Sequence, residues 1–297
     1  MNLSEQEVST SKGYQDFLSE LLAIESGIRP ELHNWYVENW DKPVLRYPKV
    51  TKPGRAVRDT FSGKVIHTPT TVREYFERLG VVSLFDPSDR ACLIEMQYRS
   101  TNALGFIGYQ IGEKILAAQG YYVPAEVMAP IDGQLRRLPR FYAAALADRH
   151  WIAGRTTAII QGDTGERVVS TDVNEWAGHF TGKTGLHSLN DLMRPYHQDR
   201  LMDELLHESC RALRAGWYDA PVIPETSEQM RFAHRKKSIV SQSYTLSGLL
   251  AAAHLCGTKG VFQFLSTGTE PQDEFGTSML HYLDYFSGYA LPFEELQ

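Results

Sequence analysis

The 297-residue chain is poor in cysteine: it has three, Cys92, Cys210 and Cys256, an odd number set far apart and without CxxC spacing. That disfavours a disulfide framework or a zinc site. The apolar neighbours of Cys92 and Cys256 fit buried, reduced thiols. Long hydrophobic runs are missing as well. The apolar stretch from Leu246 to Cys256 is too short to span a bilayer and contains Ser247, Gly248 and His254, so no membrane span is expected. There is no GxGxxG, no GxxxxGK[ST] and no HExxH, which leaves nucleotide binding and the familiar zinc-hydrolase arrangement unsupported. A large charge of either sign is lacking too. The net charge of −6 argues against a chain built to bind nucleic acid or an anionic membrane surface. The compact basic run His234-Arg235-Lys236-Lys237 reads as a solvated loop or helix end. Met1 to Thr10 is polar and acidic, without the basic and apolar regions of a secretory signal. The expectation is synthesis in the cytoplasm, with any work outside the cell requiring a non-classical route.

What remains is ordinary globular material, with 42% hydrophobic and 22% charged residues, no internal repeat and no low-complexity segment. Apolar periodicity predicts helices over residues 9–27, 71–80, 87–98, 111–120, 141–147, 199–215, 244–254, 260–265 and 278–286. Thr70 or Thr71 would cap the second, and Gly80 and Gly120 would end the second and fourth. Ser62-Gly63 suggests one hairpin, and Gly162-Asp163-Thr164-Gly165 between two β-prone runs another. From Arg29 to His67 the pattern is irregular and dense in aromatics, with Pro43, Pro48 and Pro53 interrupting it. The fold class is therefore mainly α, or α+β, with small hairpins.

Glu25 stands out because Tyr14, Phe17, Leu18, Leu21 and Leu22 recur on one helix face and the next step along that face lands on it. A carboxyl group beside apolar side chains is poorly solvated when charged and holds its proton nearer to neutrality. A general acid needs that property to protonate a leaving oxygen.

Three blocks, taken together, resemble the lysozyme-like superfamily, especially lytic transglycosylases and goose-type lysozymes. The first is Glu25-Ser26-Gly27, similar to the Glu-Ser motif that ends the catalytic helix of that fold. The second runs from Asn102 to Gln110, with Ile111-Gly112-Glu113 trailing it, and is similar to the block that lines the substrate cleft. The third runs from Ser247 through His254 and Leu255 to Gly257, with Gly260-Val261 and Phe264-Leu265 following. A fourth, Trp176 to Gly185, resembles the same bacterial proteins. Departures accompany the likeness. The stretch between Glu25 and Gln110 is longer than the family usually has, and His254 stands where transglycosylases commonly carry Asn.

The resemblance implies a single lysozyme-like helical domain over residues 1–297, with insertions at about 29–95 and 125–175. It implies peptidoglycan cleavage by a lytic transglycosylase or muramidase without a cofactor or metal. Ordinary glycosidases use two carboxyl groups, whereas lytic transglycosylases manage with one Glu. Glu25 would be acid and then base, with Glu95 or Glu113 as alternatives. Ser26 or Gln110 would orient the N-acetyl group of a sugar, and His254 would line the site. Gly105 and Gly108 would let backbone approach the glycan. Tyr109, Trp35 and Tyr36 would stack on sugar faces or pack in the core. Glu38 or Asp41 would supply a base in a hydrolase, and Glu113 would otherwise favour the start of its helix. A cell-wall enzyme without a visible signal suggests a secreted antibacterial effector, as in type VI secretion, or a phage-type lysin. Its partners would be peptidoglycan and an immunity protein or a secretion-machine component, and it would act in the periplasm of a target cell. Three rival readings remain: a non-catalytic glycan-binding or structural protein; a metal site among His179, His187, His197, His207 and nearby carboxylates, in the absence of a recognised ligand spacing; and a cysteine hydrolase built on Cys92.

Overall fold

The computed structural model describes residues 12–52, 55–131, 134–141, 159–161, 167–169, 173–217, 222–226, 229–232, 243–271 and 277–295. The Ser9–Ser11 caps, most of the helix expected over 141–147, the 162–165 loop and the basic run 234–237 lie outside the described residues. The chain is mainly helical, with small antiparallel strand pairs. It divides into two compact units, Met1–Leu21 with Arg200–Gln297, and Leu22–Asp199.

In the first of these units, the early helix turns contribute Phe17, fully buried against Phe286 and Tyr289 with ring centroids 5.4 and 5.7 Å away. Tyr14 meets the Phe293 ring edge-on and donates to Asp203 at 2.9 Å. The helix Leu246–Thr267 begins at Thr245, whose hydroxyl accepts the Gly248 N–H. Every residue from Leu246 to Ala253 is buried, as its mostly apolar composition requires, and the one polar side chain, Ser247, pairs with the Thr245 hydroxyl at 3.1 Å. Gly248 is needed there, because a Cβ would sit 2.4 Å from the Leu283 carbonyl oxygen of helix Met279–Tyr285. Gly257 (φ 72°, ψ 159°) is non-helical and divides this span, so the two helices expected at 244–254 and 260–265 are present as two helical pieces that meet at a kink.

In the Leu22–Asp199 unit, the aromatic-rich stretch after Glu25 carries its own core. Ile28, Tyr36, Val72, Phe76, Leu79, Val81, Leu93 and Met96 form a buried cluster, with Trp35, Trp40, Tyr75 and Phe85 packed against it. Trp40 stacks on Phe85 at 4.4 Å, and Tyr36 meets Phe76 edge-on at 5.2 Å. The helix Val72–Arg78 starts with a capping box between Thr71 and Glu74. Strand Leu45–Pro48 pairs antiparallel with His67–Thr70, and Val50–Lys52 with Arg55–Ala56, to build a ribbon. Strands Glu126–Ile131 and Gln134–Pro139 form a second hairpin, and Ile159–Gln161 with Arg167–Val169 a third.

The helix Tyr14–Ser26 ends as its sequence requires. Gly27 adopts φ 68°, the left-handed conformation that glycine reaches without penalty. A Cβ at Gly27 would fall 2.0 Å from the Tyr75 hydroxyl oxygen, and that hydroxyl donates to the Gly27 carbonyl at 3.2 Å. Gly27→Ala should therefore destabilise the protein by at least about 1–2 kcal/mol from backbone strain alone, and by less in a Tyr75→Phe background, where the crowding oxygen is gone. Urea denaturation of the four proteins of this cycle measures the difference; an equal cost in both backgrounds would refute the close approach.

Candidate functional site

A helix leaves its last four carbonyls without helical partners. Here side chains take up the Glu25 carbonyl and backbone groups of the residues just past the helix, three of them from distant parts of the same unit. Gln110 Nε2 donates to the Glu25 carbonyl at 2.7 Å. The Tyr75 hydroxyl donates to Gly27, and Gln97 Nε2 donates to the Ile28 carbonyl at 2.7 Å. The Arg29 N–H donates to the Tyr36 hydroxyl at 3.0 Å. Ser26 is 3% exposed, and its Oγ accepts the Ile28 N–H at 3.2 Å. Its hydroxyl thus shapes the turn. Glu25 itself is half-buried.

The Gln110 side chain is placed by a loop built from small and amide residues. Asn102 Oδ1 accepts the N–H groups of Leu104 and Phe106 at 2.8 and 3.1 Å, closing the first turn. Asn102 Nδ2 donates to Gln110 Oε1, so both ends of the Gln110 amide are held. Gln110 has φ 60°, a left-handed conformation uncommon for a residue with a side chain.

Beneath this loop lies a buried polar cluster. The Tyr98 and Tyr109 hydroxyls both donate to Asp199 Oδ1, at 2.8 and 2.9 Å. Burial raises the Asp199 carboxyl above its ordinary range, and the two phenols pull it partly back. Burial, followed by the Asp199 charge, pushes both tyrosines upward. Gln198, fully buried, donates to the Tyr98 carbonyl at 2.7 Å and accepts the Tyr109 N–H at 3.4 Å.

The segment 173–178 closes over the other side of the loop. Trp176 Nε1 donates to the Gly105 carbonyl at 2.8 Å, and the Asn174 N–H donates to Leu104 at 2.8 Å. Glu113, 2% exposed, opens the helix Glu113–Ala118. Its N–H donates to Asn174 Oδ1 at 2.7 Å, and its carboxylate accepts the Trp176 N–H. Burial raises the Glu113 carboxyl above the usual range, with the N–H groups of Trp176 and Glu175 opposing that rise.

Several roles expected from the sequence change in this light. Tyr109 (1% exposed) and Tyr36 (3%) have no ring face available for a sugar, and Trp35 packs edge-on against Tyr36. The space around Gly105 and Gly108 is occupied by protein. A Cβ at Gly105 would fall 2.2 Å from the Asn174 carbonyl oxygen, and one at Gly108 would fall 1.9 Å from Gln198 Oε1. Glu95 is exposed and pairs with Arg99 at 3.0 Å along its own helix. Asp41 is exposed and pairs with Arg73 at 3.0 Å, and Glu38 is exposed. His254 is half-buried on the Leu246–Thr267 helix of the other unit. Cys92 is half-buried, its Sγ accepting the Asp86 N–H at 3.3 Å, and burial raises its thiol. Among the described residues no group of three His, Cys, Asp or Glu side chains gathers as metal ligands, and no helix is long and apolar enough to cross a membrane.

Tyr75, Gln97, Asn174, Gln198 and Asp199 were not read from the sequence as part of this arrangement. A usable signal existed for two of them. Gln97 follows Leu93 by four residues on a buried helix face, and Gln198 precedes Leu201 and Met202 by three and four. An amide on an apolar face has to find partners inside the protein. No family model, curated protein or solved structure matches the chain.

Two substitutions test the framework. Asp199→Ala removes the acceptor that the Tyr98 and Tyr109 hydroxyls share, so it should cost about 1–3 kcal/mol, and Asp199→Asn, which keeps an acceptor, should cost less; thermal denaturation distinguishes them. For Glu113 the sign follows from its raised pKa. The folded state binds this proton more readily than the unfolded chain does, so the stabilisation is complete below the unfolded pKa and is lost as pH rises through the folded one. Glu113→Gln, neutral throughout, should gain stability relative to wild type at pH 7, and that gain should shrink as pH falls through the raised folded pKa and be gone below about pH 4, as urea denaturation across pH would read.

Proposed function

We propose that the protein cleaves the glycan strands of peptidoglycan, as a lytic transglycosylase or muramidase, with Glu25 as general acid and then base. The observation that carries this reading is the 2.7 Å hydrogen bond from Gln110 Nε2 to the Glu25 carbonyl. It joins two of the blocks that resemble lysozyme-like enzymes across 85 residues of sequence, and it holds the acid-bearing end of the helix against the loop expected to line the cleft. Of the three carboxyl groups weighed for the acid, Glu95 is exposed and ion-paired, and the buried Glu113 carboxylate is turned onto the Trp176 amide. Glu25 alone of the three sits half-buried at a braced helix end.

In this mechanism Glu25 protonates the leaving glycosidic oxygen as the anomeric carbon gains oxocarbenium character. The resulting carboxylate takes a proton from the hydroxyl that attacks that carbon, either the sugar's own, giving an anhydro product, or that of water, giving a reducing end. Gln110 and Ser26 act as positioning residues, since each is engaged in holding the chain around Glu25. A braced carboxyl group keeps its angle to the substrate without reorganising during the reaction. Action in the periplasm of a target cell, with an immunity or inhibitor protein as a further partner, belongs to the same proposal.

Mass spectrometry of purified sacculi incubated with the protein decides the matter. Soluble muropeptides should appear with the wild type. Glu25→Gln should reduce their release by about 10²–10⁴-fold, the usual weight of a general acid, while still sedimenting with sacculi. Anhydro ends identify a transglycosylase and reducing ends a muramidase. Sacculi left intact by the wild type but bound by it would overturn cleavage in favour of a glycan-binding protein.

A further inference from the structure

The ribbon in the stretch after Glu25 has a charge unlike that of the rest of the chain. Residues 42–67 hold seven lysines and arginines (Lys42, Arg46, Lys49, Lys52, Arg55, Arg58 and Lys64) and one acidic residue, Asp59, in a chain whose net charge is −6. Asp59 offsets only one of the seven cations, and its carboxylate is engaged in holding the loop. Oδ1 accepts the N–H groups of Phe61 and Ser62 at 3.1 and 2.7 Å and the Ser62 hydroxyl at 2.8 Å. Arg58 Nη1 donates to the Gly63 carbonyl at 2.9 Å, and the Asp59 N–H donates to the Lys64 carbonyl at 2.8 Å. The loop is thereby fixed, and what it presents at its apex is Phe61, 98% exposed. Ile66 (38% exposed) lies behind it, and Lys42, Arg46, Lys49 and Lys64 are exposed along the ribbon.

A single exposed apolar residue is unremarkable on a protein surface. A whole phenyl ring held out on a hydrogen-bonded turn, with cations set back from it on both strands, is a different arrangement. The convex tip encloses nothing and offers no platform for stacking successive bases. It matches a soft planar surface whose outer layer is anionic and whose interior is apolar. Interfacial anchors combine an apolar insertion with basic residues at headgroup depth. The chain's overall negative charge does not oppose this, because charges beyond the Debye length of about 8 Å are screened at physiological salt. We propose that the ribbon docks on an anionic lipid surface, with Phe61 entering the boundary between headgroups and acyl chains and the flanking cations meeting the headgroup phosphates.

Flotation of the full chain with vesicles tests this independently of the glycan reading. The protein should float with vesicles containing phosphatidylglycerol and stay behind with phosphatidylcholine alone, and high salt should release it. Phe61→Ser should weaken binding about tenfold, and Lys49→Glu about fivefold or more. Both positions are exposed, so circular dichroism and the melting temperature should not change. Failure to float at low salt, equal binding to the two vesicle types, or undiminished binding by Phe61→Ser would each overturn the proposal. Ribbon-dependent retention on lipid-free sacculi or on an acidic protein, without vesicle binding, would overturn it in favour of that partner.

Discussion

The helix that ends at Ser26 and the residues just past it, through Ile28, carry carbonyls that helical hydrogen bonding does not reach, and much of the Leu22–Asp199 unit is arranged around that obligation. Water could satisfy those groups at an exposed end. Here side chains do so instead: Gln110 at Glu25, Tyr75 at Gly27 and Gln97 at Ile28. Each comes from a different element, so the chain after Glu25 cannot adopt its path until those elements have assembled. The dependence extends outward. Gln110 is set by Asn102, the loop rests on Gln198 and on the tyrosine pair that shares Asp199, and Asn174 and Trp176 close its other side.

Such a framework carries a penalty, because amides and phenols withdrawn from water are tolerated only while they are paired. The compensation is geometric. Hydrophobic contact is non-directional and can place a helix end only approximately, whereas a fork of hydrogen bonds sets both position and rotation. The aromatic cluster of Tyr36, Trp40, Phe76 and Phe85 supplies the apolar burial of this region, and the polar groups at its margin supply the alignment.

Much of the local structure was legible in the sequence because it depends on neighbours. The Thr71 cap and the left-handed glycines at Gly27, Gly80 and Gly120 set helix ends near the expected positions. The helix expected from Pro87 begins instead at Cys92, because the Asp86 and Asp89 side chains accept the N–H groups of Ser88 and Ala91 and hold that stretch in turns. The meeting of Glu25 with Gln110 was legible only through resemblance. The partners of Ile28 and Gly27 left no mark, since a hydrogen bond across 69 or 48 residues imposes no spacing on either strip of sequence. Gly105 and Gly108 show the limit most clearly. A close approach of the backbone to a glycan was expected at both, and the space beside them is filled instead by the Asn174 main chain and the Gln198 amide.

The chemistry of the groups around Glu25 has one more implication. The side-chain hydrogen bonds described to the main chain from Glu25 to Arg29 come from two carboxamides, two phenols and the Ser26 hydroxyl. Carboxamides do not ionise, and phenols stay neutral until about pH 10. The immediate mount of the glutamate is therefore electrically silent over the whole interval in which a carboxyl group changes state. These groups can steady the main chain at Glu25 without adding a titration of their own.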